Sequence, residues 1–192
     1  MDPFEYFIGL YTIIVGLGIA LLVRSIGQMI EGADRIRLYW VHTTWLGLIF
    51  VTHVTSWFFL WKYHEIPEWR VYESLLLLSV PVLLYLASHL AVPEIKEYED
   101  ERYDLRDYYF GRARYRWIQG LVGSAILVTL LIDALLLEQG TSLQAASHRL
   151  VVLAVLLPGI LTARPAVHQV QATVLLALVG LGFAGGINVR IG

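Results

Sequence analysis

Apolar runs of bilayer-crossing length, separated by short clusters of charge, constrain this chain more than any other feature. About 20 apolar helical residues cross a hydrocarbon core, and every backbone polar group inside it must be satisfied within the protein. On that basis spans are expected at residues 6–23, 38–61, 74–92, 117–137, 143–163 and 167–189. The expected fold is an all-α membrane protein, a bundle of about six transmembrane helices forming one domain over residues 1–192. The fifth span is the shortest: only 14 residues separate Arg149 from Arg164, and Pro158 interrupts them. It crosses if Arg149 snorkels towards the interface and residues 143–147 supply its first turns.

Composition agrees with this reading. Charged residues make up 16% of the chain, against about a quarter in soluble domains. The net charge of -2 provides no basic field for nucleic acid. The absence of cysteine excludes disulfides, thiolate metal sites and thiol nucleophiles. No Lys or Arg precedes the first apolar run, so that run is expected to be retained as a span rather than cleaved as a signal peptide.

The basic residues orient the bundle. Arg24, Arg35, Arg37, Lys96, Arg102, Arg106, Arg112, Arg114, Arg116 and Arg164 fall on one side, and Lys62, Arg70, Arg149 and Arg190 on the other. The richer side is expected to be cytoplasmic, in the cell membrane, with both termini on the opposite face. Residues 93–116 are then a cytoplasmic connector. It opens acidic, with Glu94, Glu97, Glu99, Asp100 and Glu101, and closes basic, with Arg112, Arg114 and Arg116 flanking Tyr115. The basic end suits a lipid headgroup anchor. The acidic half is a candidate surface for a cytoplasmic partner.

Phe4-Glu5-Tyr6, the stretch from Leu38 to His42, Ser56-Trp57-Phe58-Phe59, the run from Pro81 to Ala87, and Asp104-Leu105-Arg106 with Tyr108-Tyr109-Phe110 form a pattern over the first two thirds of the chain. The pattern resembles a group of small bacterial polytopic integral membrane proteins. The resemblance implies the membrane class and brings no activity with it.

Polar groups inside a span are expensive, which makes each a functional candidate. His42 and His53 are eleven residues apart, about three helical turns, and share one face of the second span with Thr52 and Ser56. They are the candidate lining of a transport pathway, with His53 near the bilayer midplane as its central group and a proton relay among its uses. In the opposite leaflet Asp133 and Arg149 flank a short loop, reach similar depth and are expected to pair, with Glu73 as a third member. His42, His89 and His168 come to similar depth on the cytoplasmic side, where two imidazoles can clamp a haem iron and three can hold a divalent metal. Gly16, Gly120 with Ser124, and Gly182 with Gly186 mark close helix contacts, within the chain or between copies of a homo-oligomer.

The function expected is a small channel or transporter moving an ion or small solute. A haem- or metal-binding electron-transfer subunit is the first alternative. A structural or sensory subunit that binds a partner through residues 93–116 is the second. No P-loop, HExxH helix, GxSxG elbow or paired nucleophile and base supports an enzyme.

Overall fold

The computed structural model describes residues 3–64, 66, 69–93, 102–136 and 143–184. They are nearly all helical: α1 Pro3–Glu31, α2 Trp40–Leu60, α3 Val71–Ala91, α4 Leu105–Phe110, α5 Arg114–Leu136, α6 Leu143–Leu161 and α7 Pro165–Ala184. Five helical stretches are long and apolar enough to cross a membrane. The apolar part of α6 is shorter, Ala146–Leu161. α3 is the hub, packed on α1, α2 and α5; α5 continues to α6, α6 to α7, and α7 returns to α2.

The outer faces of these helices carry Leu17, Leu127, Leu157, Val170 and Leu181, all exposed. In water such continuous apolar faces would drive aggregation, whereas acyl chains are their natural solvent. The helices therefore have the length and the surface of membrane spans.

Several boundaries differ from the sequence expectation for local reasons. α1 continues past Arg24 to Glu31, because a charge ends an apolar run without ending a helix. Beyond Arg24, Ser25 and Met29 still face the core. α3 starts earlier than expected, at Val71, because Glu73 accepts a hydrogen bond from the Arg70 backbone N–H at 2.9 Å and closes its first turn. Pro165 opens α7, where a missing N–H costs nothing. Pro158 sits inside α6 and does not end it. Gly16 and Gly120 have open space where a side chain would project, and Ser124 is exposed, so among the described residues these positions meet no neighbouring helix. Gly186 lies outside the described residues. The close approaches fall instead at Gly18 and Gly159, where a methyl group would overlap His53 and the amides of Gln119 and Gln171 respectively.

The connector is tied to the first interhelical loop. β1, Ile36–Arg37, and β2, Tyr103–Asp104, form a two-residue parallel bridge, with an exposed ion pair between Arg37 and Asp104 at 3.5 Å. Asp104 caps α4 by accepting from the Arg106 N–H at 2.7 Å. Between α4 and α5 the chain turns through Arg112 and Ala113, whose φ values of 50° and 52° lie in the left-handed region that non-glycine residues rarely adopt. The turn folds Phe110 onto Tyr115 of α5, with ring centroids 5.6 Å apart. Of the three expected headgroup anchors, Arg112 and Arg116 are exposed. Arg114 is folded back instead: it lies 4.1 Å over the Tyr108 ring and donates to the Tyr108 carbonyl at 3.1 Å. The acidic half of the connector, Glu94 to Glu101, lies outside the described residues.

Candidate functional site

The bundle gathers buried polar groups at two poles. At one pole the end of α2, the end of α5 and the start of α6 meet. Asp133 is fully buried there and is held by three donors. Lys62 pairs with Oδ1, Tyr63 donates to the same oxygen at 2.5 Å, and Arg149 donates to Oδ2 at 2.6 Å. The expected Asp133–Arg149 pair is present. Glu73 does not join it, being engaged at the start of α3. Lys62 and Tyr63 were not expected. The α2 backbone continues into a 3-10 turn, Trp61–Tyr63, which carries both side chains back over the bundle, and the Lys62 ammonium lies 4.7 Å from the Tyr63 ring centroid. A basic residue just past an apolar run was the available signal.

A cavity of about 140 Å³ runs from this pole between α1, α2, α3 and α5. Lys62, Tyr63 and Arg149 line one part of it, and Thr52, Thr55 and Ser56 another. The α2 hydroxyls each donate to a carbonyl of their own helix: Thr52 to Leu48 at 2.7 Å, Thr55 to Val51 at 2.9 Å and Ser56 to His53 at 2.8 Å. Such back-bonding satisfies the hydroxyl proton inside a bilayer and leaves oxygen lone pairs for the cavity. Tyr11 of α1 lines the same space as Ser56.

His53 and His42 are both fully buried, as their spacing on one helical face implies. His53 donates through Nδ1 to the Ile49 carbonyl at 3.0 Å, which leaves Nε2 as a bare acceptor against Gly18 of α1 with no protein partner. It adjoins the cavity through Ser56 rather than lining it. His42 stands at the other end of α2, donating through Nε2 to the Ala91 carbonyl at 2.8 Å. Thr52 and Ser56 thus line the cavity, while His53 and His42 do not.

The other pole is built from neutral groups. His168 of α7 donates through Nε2 to the Thr162 carbonyl at 2.9 Å, so its Nδ1 accepts, from the Tyr109 hydroxyl at 3.0 Å and the Gln119 amide at 3.3 Å. Gln171 donates to Gln119 Oε1 at 2.9 Å and to the Val155 carbonyl at 2.9 Å, in the α6 turn that Pro158 deprives of an N–H. Tyr109, Phe110 and Tyr115 surround the imidazole edge-on, with centroids 5.4, 5.1 and 4.9 Å away. Gln119 and Gln171 were missed by sequence reasoning, which weighed ionisable groups and passed over uncharged amides within spans. Of the three histidines considered for haem or metal, His42 and His168 both pack against Tyr109, with ring centroids 6.3 and 5.4 Å away, and His42 keeps a buried Nδ1 without a hydrogen-bond partner. His42 and His168 have their Nε2 atoms bonded to backbone carbonyls, and His89 is exposed while its neighbour Ser88 faces inwards. Among the described residues no group of three or more potential ligands could hold a metal ion.

Fold and site together give a helical protein with five stretches long and apolar enough to cross a membrane and a buried ion cluster beside an open-sided cavity. No family profile, curated protein or solved structure matches the chain.

Proposed function

We propose that this chain is a small-solute channel or transporter of the cell membrane. Six helices cross the bilayer, α6 included, and both termini lie on the non-cytoplasmic face. One observation carries the reading. The cavity joins a charged cluster at one membrane face to the hydroxyl-bearing side of α2 near the middle of the bundle. Apolar spans that only need to pack do not require a cavity flanked by six hydroxyl groups and two cations. The excess of basic residues at the opposite pole supports the orientation.

In this reading Lys62, Tyr63 and Arg149 form the outer mouth, Thr52 and Ser56 the wall, and His53 the group beneath it. A solute moving inwards from the cavity meets the bare Nε2 of His53, a hydrogen-bond acceptor set against Gly18 of α1. The test is solute flux in proteoliposomes, with Ser56→Leu and His53→Leu beside the parent chain. A blocked path lowers flux at least about tenfold, equivalent to raising the barrier by about 1.4 kcal/mol. Parent-like flux through both variants, each folded by its melting curve, sinks the reading.

A further inference from the structure

The walls of the cavity are unequal in chemistry. The hydroxyl protons of Thr52, Thr55, Ser56 and Thr129 all go to carbonyls of their own helices. The Tyr63 proton goes to Asp133. Spare N–H donors on the wall therefore belong to Lys62 and Arg149, whose ammonium and guanidinium carry more of them than their bonds to Asp133 use. Two cations face one carboxylate among the described residues of the cluster. Their side chains are only 25% and 16% exposed, and Asp133 not at all. A surplus positive charge that is only partly exposed to water is costly unless an anion meets it. Away from the cations the wall is apolar, with Leu77, Val80, Leu84 and Ile126.

We infer that the cavity takes a short monocarboxylate, its head held by Lys62 and Arg149 and its alkyl tail laid along Leu77, Val80, Leu84 and Ile126. The assignment rests on the transport reading and names its substrate class. Size agrees with it: an apolar protein cavity of about 150 Å³ takes benzene, a ligand of about six heavy atoms, and this one measures about 140 Å³. A carboxylate of three to five carbons is of that size. A divalent anion would overcharge the cluster. A cation would meet two like charges.

The test is calorimetric titration of the purified full chain in detergent with sodium butyrate, butyramide and butylammonium chloride. Butyrate binds. Butyramide keeps the shape and loses the charge, and it binds about ten- to hundredfold more weakly, the worth of a charge-assisted hydrogen bond. Arg149→Gln leaves Lys62 paired one to one with Asp133 and lowers butyrate affinity by a similar factor. Ala125→Leu fills the cavity without touching its charges, and it abolishes butyrate binding. Equal binding of butyrate and butyramide overturns the assignment on the parent chain alone, whatever the variants do. So does unchanged butyrate affinity in Arg149→Gln. Flux of glycerol or potassium without butyrate binding overturns the carboxylate assignment and leaves the transport reading standing. Butyrate binding without flux of any solute supports the assignment and overturns the transport reading.

Discussion

The two poles of the bundle solve one problem in opposite ways. Both bury polar side chains in an otherwise apolar chain. The Asp133 pole uses full charges, held by Lys62, Tyr63 and Arg149, and borders a cavity. The His168 pole uses neutral amides, a phenol and an imidazole, and fills its space with the rings of Tyr109, Phe110 and Tyr115. Charges are strong only while every partner is present, because a single loss strands an ion away from water. Neutral hydrogen bonds between membrane helices are individually weak, about 0.6 kcal/mol on average, and lose little when one is removed. The charged pole is therefore brittle and the neutral pole tolerant. The brittle one borders open volume that a solute could use.

The largest expected effect breaks the charged pole. Asp133→Asn preserves shape and removes the only carboxylate that Lys62 and Arg149 share in the described cluster. Removing one member of a buried ion pair costs about 3–5 kcal/mol, and here two cations lose their partner together. Partial exposure of both cations puts the expectation at the lower end of that range. Thermal unfolding in detergent measures it. A change within the noise of the melting curve would mean that the cluster is hydrated, and the contrast between the poles would fail.

Gly159→Ala should have the next largest effect, and it acts on the neutral pole by shape rather than polarity. The added methyl would overlap the side-chain amides of Gln119 and Gln171, which lie directly over that glycine. Overpacking of this kind costs about 1–3 kcal/mol. The same substitution at Gly120, which has open space beside it, is the control and leaves the melting curve unmoved. Equal effects at the two glycines would show that α6 does not press on the amide pair.

Much of this architecture was legible in the sequence, and the losses have physical causes. The Asp133–Arg149 pair followed from the geometry of a short hairpin, since residues flanking a tight loop must return at the same depth. The inward face of α2 followed from the spacing of His42 and His53, both fully buried. Depth was readable for His89 as well, but rotation was not, and a turn of one residue leaves Ser88 inside and His89 outside. Lys62 was hidden because apolar runs mark where a span meets water and not where its helix stops; the 3-10 turn after α2 brings it back to Asp133. Glu73 was offered to the ion cluster for its charge and its place at the start of the third span, although its position three residues after Arg70 is that of a helix-capping side chain. The glycines failed for a related reason. Small residues permit close approach, and only tertiary packing decides which of them, here Gly18 and Gly159, is approached.

The smallest expected effect sharpens the comparison from the tolerant side. Tyr109→Phe deletes one hydroxyl from the His168 network and keeps the ring that packs edge-on against the imidazole. Thr162 holds the imidazole proton on Nε2, so Nδ1 still needs a donor in the variant. The Gln119 amide already stands 3.3 Å from Nδ1 and can close that distance. The loss should then be no more than about 1 kcal/mol, the scale of a hydrogen bond between membrane helices. Tyr109→Phe combined with Gln119→Leu removes both donors. The double variant should lose more than the sum of the single variants, since Nδ1 is stranded only when both donors are gone. Melting temperatures of the two singles and the double decide it. Simple additivity would show that the donors do not substitute for each other, and tolerance would have to come from the aromatic packing around His168 instead.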